Sequence, residues 1–155
     1  MNNEDDVNFK IWRLLDHTRF VIARSREKEL ARYGLTLEQS HVLYILHHNG
    51  GVSTIQEIVN ITMRQHHSIS TLINRMAKQG LVKKIRSKSD ARRYNVIITE
   101  MGEELFRMTP RDSITDIFSI ISGSDRKGLG RGLSKLMVKS YKVLGKEYRS
   151  NVLAD

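Results

Sequence analysis

Residues 62–95 read TMRQHHSISTLINRMAKQGLVKKIRSKSDARRYN and carry nine basic side chains against one acidic side chain. The whole chain has a net charge of +9, so nearly all of its excess positive charge lies in this stretch. A local positive field favours phosphate backbones, because each neutralised phosphate releases condensed counterions. A solvated lysine-rich surface would carry the same charge, so the order of the structural elements has to decide between the two.

The first half of the stretch predicts the second helix of a helix-turn-helix. A helix capped by Thr62 is expected to run to Gln79 and to end at Gly80. Its apolar stripe has the spacing i, i+3, i+4, i+7 and consists of Ile69, Leu72, Ile73 and Met76. A shorter helix, opened by Ser53 or Thr54, precedes it across a turn near residue 61. The second helix of such a pair lies in the major groove of DNA.

The second half predicts a basic β-hairpin directly behind that helix. Residues 81–86 and 94–99 are rich in β-branched side chains, and the polar segment 87–93 separates them. A hairpin at this position is a wing, which can reach the phosphates or the minor groove beside the helix.

The flanking segments predict further helices. A long helix spans about residues 8–33 and stops at Gly34, and Thr36 with Gln39 forms a capping box for the next helix. The last third is helical over about 100–121, with a weak point at Pro110, and over about 124–148, with Ser124 as the cap. The final helix repeats apolar residues at three and four, which favours self-association. The clustering of Gly128, Gly130 and Gly132 within it has no explanation from the sequence.

Length and composition restrict the protein class. At 155 residues, one domain spanning 1–155 is expected. The absence of cysteine excludes disulfides, thiolate metal sites and thiol catalysis. No apolar run is long enough to span a membrane, and the acidic N-terminus is unlike a secretory signal, so we expect a soluble, cytoplasmic protein without a membrane partner.

Three motifs resemble those of the MarR family of winged helix-turn-helix transcriptional regulators. They are the segment from Ile73 to Val82, the Asp90-Ala91-Arg92 of the wing, and the segment from Ile98 to Gly102. The resemblance implies a mainly α fold with a small β-hairpin wing. It also implies a homodimer intertwined through its N- and C-terminal helices, at about 1–34 and 100–155. The winged lobes, at about 36–99, would bind a pseudo-palindromic operator.

The resemblance also implies which residues meet DNA. Those of the recognition helix would face bases or phosphates, Arg92 would enter the minor groove, and Asp90 would orient Arg92 or pair with Arg75. The expected DNA-binding residues are Gln65, His66, His67, Ser68, Ser70, Thr71, Arg75, Arg86, Ser87, Lys88, Asp90, Arg92 and Arg93. The pair His66-His67 departs from the small or hydroxyl residues frequent in the family. Protonated imidazole would attract phosphate, so operator binding should tighten as the pH falls from about 8 to about 6.

Family members often release DNA when a small aromatic or anionic ligand occupies a cleft between the dimerisation helices and the lobe. By position, the residues that could border such a cleft are Trp12, Arg13, Asp16, His17, His41 and Tyr44. An interface without any ligand is an equal alternative, and no cofactor is expected.

Other function classes have weaker support. His17, His41, His47 and His48 lack the spacing of a metal site, so no metal is expected. No nucleophile elbow or glycine-rich phosphate loop is present, so an enzyme is not expected. Five tyrosines and one tryptophan are too sparse for a single-strand stacking platform. The remaining alternative is a non-specific or architectural nucleic-acid-binding winged helix without an effector.

Overall fold

A computed structural model describes residues 3–148, and within them the chain forms seven helices and a three-stranded sheet. The elements in chain order are α1 (Asn3–Ala31), α2 (Leu37–His48), β1 (Val52–Thr54), α3 (Ile55–Thr62), α4 (His66–Lys78), β2 (Val82–Arg86), β3 (Tyr94–Ile98), α5 (Glu100–Met108), α6 (Asp112–Phe118) and α7 (Gly123–Val143). The predicted winged helix-turn-helix is confirmed. The ends of the expected domain, 1–2 and 149–155, lie outside the described residues.

The wing hairpin belongs to a sheet that the sequence analysis predicted incompletely. The antiparallel order is β1-β3-β2, with Ser53 opposite Val96 and Lys84 opposite Val96 on the other side of β3. Strand β1 was missed, because three residues are too few to show an alternating pattern. Of the two predicted caps of α3, Ser53 and Thr54, the structure has Thr54, which forms a full capping box with Glu57.

The turn between α3 and α4 lies later than predicted. The hydroxyl of Thr62 donates to the carbonyl of Ile58, 2.7 Å away, so this residue ends α3 instead of capping α4. Met63 then adopts a left-handed conformation with φ 54°, which stops α3. Helix α4 begins at His66 after Gln65, which makes no side-chain capping hydrogen bond.

One hydrophobic core holds the winged lobe together. The predicted inward stripe of α4 is buried as expected, and it packs with α2, α3 and the sheet. The buried apolar residues are Leu30, Leu35, Val42, Leu43, Ile45, Leu46, Ile55, Ile58, Ile69, Leu72, Ile73, Met76, Leu81, Val82 and Val96. This packing fixes which face of α4 points outward.

The C-terminal third differs from the prediction at its helix ends. Pro110 separates two helices, α5 and α6, as its weak helical propensity suggested. Ser122, not Ser124, caps α7 by accepting a hydrogen bond from the Asp125 N–H. Helix α7 ends at Val143 instead of running to residue 148, because Gly145 turns the chain with φ 65°.

A buried carboxylate of α1 fixes the start of α6. Glu29 accepts hydrogen bonds from the Ser113 N–H, 3.1 Å away, and from the Ser113 hydroxyl, and it pairs with Arg26. Arg26 also donates to the carbonyl of Pro110. Burial alone would raise the pKa of Glu29, but the hydrogen bonds from Ser113 and the Arg26 guanidinium lower it to about 2. We call Arg26, Glu29, Pro110 and Ser113 the elbow cluster.

Candidate nucleic-acid interface

Helix α4 presents a polar face directly opposite its buried stripe. At 100° per residue, the positions farthest from the core are 67, 71, 74 and 78. They carry His67, Thr71, Asn74 and Lys78, and all four are exposed. The expected contact residues Gln65, His66, Ser68 and Arg75 are exposed as well, whereas Ser70 is half-buried on the flank. Asn74 and Lys78 were not among the expected contacts, although the helical spacing alone could have identified them.

The charge of α4 suits an anionic partner. The helix contains Arg75 and Lys78 and no acidic residue, and no side chain caps its first turn. Its leading N–H groups therefore point outward beside His66 and His67, at the positive end of the helix dipole. Together with the dipole, the exposed cations give this face a positive potential.

The tip of the wing is ordered by Asp90. Its carboxylate accepts a hydrogen bond from the Arg92 N–H at 3.0 Å and lies 3.3 Å from Arg93 Nε, and the Ser87 N–H donates to the Arg93 carbonyl at 2.8 Å. The alternative pairing of Asp90 with Arg75 does not form in the described chain. Lys88 and Arg92 project from this turn as exposed side chains.

A second group of contacts joins α4 to the wing. Lys84 Nζ donates to Asn74 Oδ1 at 3.3 Å and lies 4.5 Å from the centre of the Tyr94 ring. Arg86 Nη2 donates to the Tyr94 hydroxyl at 3.3 Å. This hydrogen bond, with the charges of Arg86 and Lys84, lowers the pKa of Tyr94. Of these four residues, only Arg86 was an expected contact.

The residues expected to border an effector cleft fall into two groups. Trp12, Arg13, Asp16 and His17 lie on the exposed N-terminal half of α1, whereas His41 and Tyr44 are half-buried on α2. No hydrogen bond, ion pair or ring contact of the described chain joins the groups. Burial, and then the charge of Arg64, lower the pKa of His41.

A cavity of about 540 Å³ lies where α2 meets α5 and α6. Its lining residues are His47, Phe106, Arg107, Thr109, Arg111, Asp112 and Thr115. The Nδ1–H of His47 donates to Glu103 Oε1 at 2.7 Å, and Arg107 Nε donates to the same oxygen at 2.8 Å. Burial alone would raise the pKa of Glu103, but these two hydrogen bonds lower it. None of the lining residues was expected at an effector site, because they come together only through the packing of α5 on α2.

No group of three or more His, Asp or Glu side chains between residues 3 and 148 is placed to hold a metal ion. No helix in the same part of the chain is long and apolar enough to cross a membrane.

Comparisons with known proteins point to one family. The sequence model of the MarR family matches residues 33–93. A comparison with curated protein sequences finds no match. AbsC, a MarR family transcriptional regulator from Streptomyces coelicolor, is similar in structure with a TM-score of 0.77 and 20% identity, over 94% of this chain and 98% of that chain.

Two further structures were determined with ligands. A cysteine-to-serine variant of MarR from E. coli in complex with operator DNA is similar with a TM-score of 0.75 and 16% identity, over 88% of this chain and 99% of that chain. The organohalide-sensing regulator RdhR in its 2,4-dichlorophenol-bound form has a TM-score of 0.75 and 21% identity, over 88% of this chain and 83% of that chain. At these identities, the structural similarity establishes the fold.

Proposed function

We propose that the chain, whose residues 33–93 match the MarR family model and form a winged helix-turn-helix, is a transcriptional regulator that binds a pseudo-palindromic DNA operator as a homodimer. The observation that carries the proposal is the exposed, acid-free face of α4 beside a basic wing. The family consists of regulators and not of enzymes. Its place of action would be the cytoplasm.

Helix α4 and the wing would contact different parts of the DNA. His67 and Thr71 project from the outward face of α4 and can reach base edges in the major groove, while Arg75 and Lys78 meet phosphates. Arg92 extends from the wing tip, where a guanidinium fits a narrow minor groove. The remaining expected contacts, Gln65, His66, Ser68, Ser70, Arg86, Ser87, Lys88 and Arg93, would orient the lobe on the backbone.

The homodimer is supported by apolar side chains that a single chain leaves exposed. On α1 they include Phe9, Trp12 and Phe20, each more than half exposed, and on α7 they include Leu129 and Leu136. None of the residues of α7 is buried within the described chain. Apolar surface of this extent on a water-soluble helix normally marks a protein interface. We propose that α1 and α7 of two chains cover each other.

The decisive experiment selects bound fragments from a random DNA pool. We expect a two-fold symmetric site with half-sites about one helical turn apart. In competition, the selected site should bind about 10³-fold or more tightly than random duplex at equal salt concentration. Equal binding to both would favour the alternative of a non-specific or architectural protein, and a monomer in sedimentation would contradict the dimer.

We further propose that the regulator is a repressor whose release from DNA is controlled by a small aromatic or anionic ligand. The cavity between α2, α5 and α6 supports this proposal, because it offers a ring at Phe106 and an exposed guanidinium at Arg111, 5.7 Å from that ring. Its position between the lobe and the C-terminal helices would let a ligand change the spacing of the two lobes. The residues expected from the sequence do not line this cavity. They would border a ligand site only if Trp12, Arg13, Asp16 and His17 of one chain approach His41 and Tyr44 of the other in the proposed dimer.

The ligand hypothesis needs a test on DNA release as well as binding. A ligand shifts the equilibrium only if the two conformations bind it with unequal affinity. Benzoate and 2,4-dichlorophenol are suitable probes, because both carry an aromatic ring, whereas only benzoate is fully anionic at neutral pH. We expect at least one to raise the melting temperature and weaken operator binding in the wild type, and Arg111→Ala to reduce both effects relative to a control, Arg131→Ala. Binding without any effect on the operator would contradict the proposed regulation.

A further inference from the structure

We infer that Asn74, Lys84, Arg86 and Tyr94 form a clamp for one phosphodiester group of the DNA backbone, where α4 meets the wing. We call these four residues the phosphate clamp. The inference rests on the proposed function, because it takes the duplex to lie along the outward face of α4. It adds three residues to the expected interface and gives them a ligand that is independent of the base sequence.

The geometry of the clamp places two cations beside one aromatic ring. Lys84 Nζ lies 4.5 Å and the Arg86 guanidinium 5.7 Å from the centre of the Tyr94 ring. Hydrogen bonds to Asn74 Oδ1 and to the Tyr94 hydroxyl, both 3.3 Å long, hold the two cationic groups in place. Donors fixed in this way lose less conformational entropy on binding a ligand than freely rotating side chains do.

Within the described residues, no acidic side chain compensates the charges of the clamp. The partners of Lys84 and Arg86 are an amide and a phenol, both neutral, and no carboxylate of the described chain pairs with either cation. The one acidic residue of the stretch 62–95, Asp90, is engaged with Arg93. Two neighbouring like charges repel each other. The hydrogen bond from Arg86, and then the charges of Arg86 and Lys84, lower the pKa of Tyr94. An anion bound between them would relieve this repulsion.

The position of the clamp fits the path of a DNA strand. Side chains alternate along β2, so Lys84 and Arg86 share the face of Val82, which is buried in the core. The side chains of Lys84 and Arg86 therefore lie farther along the same face of β2, beside Asn74 on the outward face of α4. A duplex with α4 in its major groove and the wing in the adjacent minor groove has the intervening backbone strand at this point. Lys83 points to the opposite face of β2.

The chemistry of the clamp favours phosphate over bases. The Lys84 ammonium can only donate hydrogen bonds, and it binds phosphate as a point charge. Contacts to phosphate orient a protein on the duplex but carry no direct sequence information. The clamp should therefore contribute equally to binding of the operator and of random duplex.

Lys84→Gln and Lys83→Gln form a matched pair, because they remove the same charge from opposite faces of one strand. Binding of the selected operator and of a random duplex is measured over a range of salt concentrations. We expect Lys84→Gln to weaken both by about tenfold and to lower the salt slope by about one, and Lys83→Gln to change either by less than about twofold. Equal effects of the two variants would overturn the clamp, and a loss confined to the operator would show base reading instead.

Single uncharged methylphosphonates along each half-site then locate the contact. One position should weaken binding of the wild type and leave Lys84→Gln unaffected, and the absence of any such position would overturn the inference. If Lys84→Gln does not fold, Arg86→Gln replaces it, and Lys83→Gln remains the control. A wild type that binds all duplexes equally would contradict the proposed function but would still allow the clamp to be measured on random DNA.

Discussion

At the scale of single residues, the charged side chains of the wing tip have different tasks. Asp90 is occupied inside the turn, where it holds the Arg92 backbone and the Arg93 side chain. Arg92 itself is exposed and has no hydrogen bond or ion pair from its guanidinium within the described chain. The Asp-x-Arg motif thus combines one residue that shapes the wing with one that is left available for a groove.

The first prediction compares Arg92 with Lys88. Arg92→Ala should weaken operator binding by about 1 to 3 kcal/mol, because a groove contact is lost, whereas Lys88→Ala should act weakly and mainly through the salt slope. Fluorescence anisotropy at two or more salt concentrations measures both quantities. Equal effects of the two substitutions would argue against an ordered wing.

A second prediction concerns the two histidines that open α4. Both are exposed beside the uncapped first turn, so their protonation would add positive charge at the phosphate-facing end of the helix. Operator binding should tighten as the pH falls from about 8 to about 6 at constant salt. The dependence should be much smaller in the double variant His66→Gln/His67→Gln. An unchanged pH profile in that variant would assign the effect to other groups.

At the scale of elements, the elbow cluster determines how α6 leaves α5. The start of α6 has no capping side chain of its own, because its preceding residue, Arg111, makes no such hydrogen bond. Glu29 of α1 supplies the missing acceptor, so a residue 84 positions away in sequence caps the helix. The direction of the C-terminal helices therefore depends on α1.

The third prediction tests this cap. Glu29→Gln should lower the free energy of unfolding at pH 7 by about 2 kcal/mol, since hydrogen bonds to a charged acceptor are lost and the Arg26 guanidinium no longer faces a carboxylate. The folded-state pKa is depressed, so the contribution of Glu29 is present above its usual value of 4.5 and lost as the pH falls towards about 2. Urea denaturation at several pH values should show the two proteins converging over that window. The control Glu104→Gln, an exposed change on α5, should leave stability nearly unaltered.

At the scale of the whole molecule, the single chain consists of two parts that differ in how much apolar surface they bury. The winged lobe buries a continuous core, whereas α7 has no buried residue in the described chain. Around Gly128, Gly130 and Gly132, an added Cβ would meet no atom within 4 Å, so nothing within one chain requires glycine there. In the proposed homodimer, the second copy would cover the apolar side chains of α7.

The fourth prediction follows from the exposed stripe of α7. Leu136→Glu should convert the dimer to a monomer and weaken operator binding by about 10²-fold or more, because the second half-site is no longer bound intramolecularly. Lys135→Glu, which changes the charge of the neighbouring residue, should remain dimeric. Analytical ultracentrifugation measures the assembly state, and a dimeric Leu136→Glu protein would place the interface elsewhere.

Short-range sequence patterns were sufficient to predict the helices and the hairpin of the winged lobe. The apolar stripe of α4, the Thr36 and Thr54 caps and the wing strands are short-range features, and the structure contains all of them. These features depend on residues within two turns or one hairpin, so their sequence separation is small. The family resemblance, and not the spacing, gave His67 and Thr71 as contacts, and both are exposed in the structure.

The features that join separate elements could be seen only in the tertiary structure. The sheet partner β1, the elbow cluster, the cavity beside Phe106 and the contact of Lys84 with Asn74 all join separate elements. Helix ends also shifted where a side chain found a partner within its own helix, as Thr62 did. Periodicity reports which face of an element is apolar, but it contains no information on which distant element will cover that face. That choice is made by the shape and polarity of the packed core.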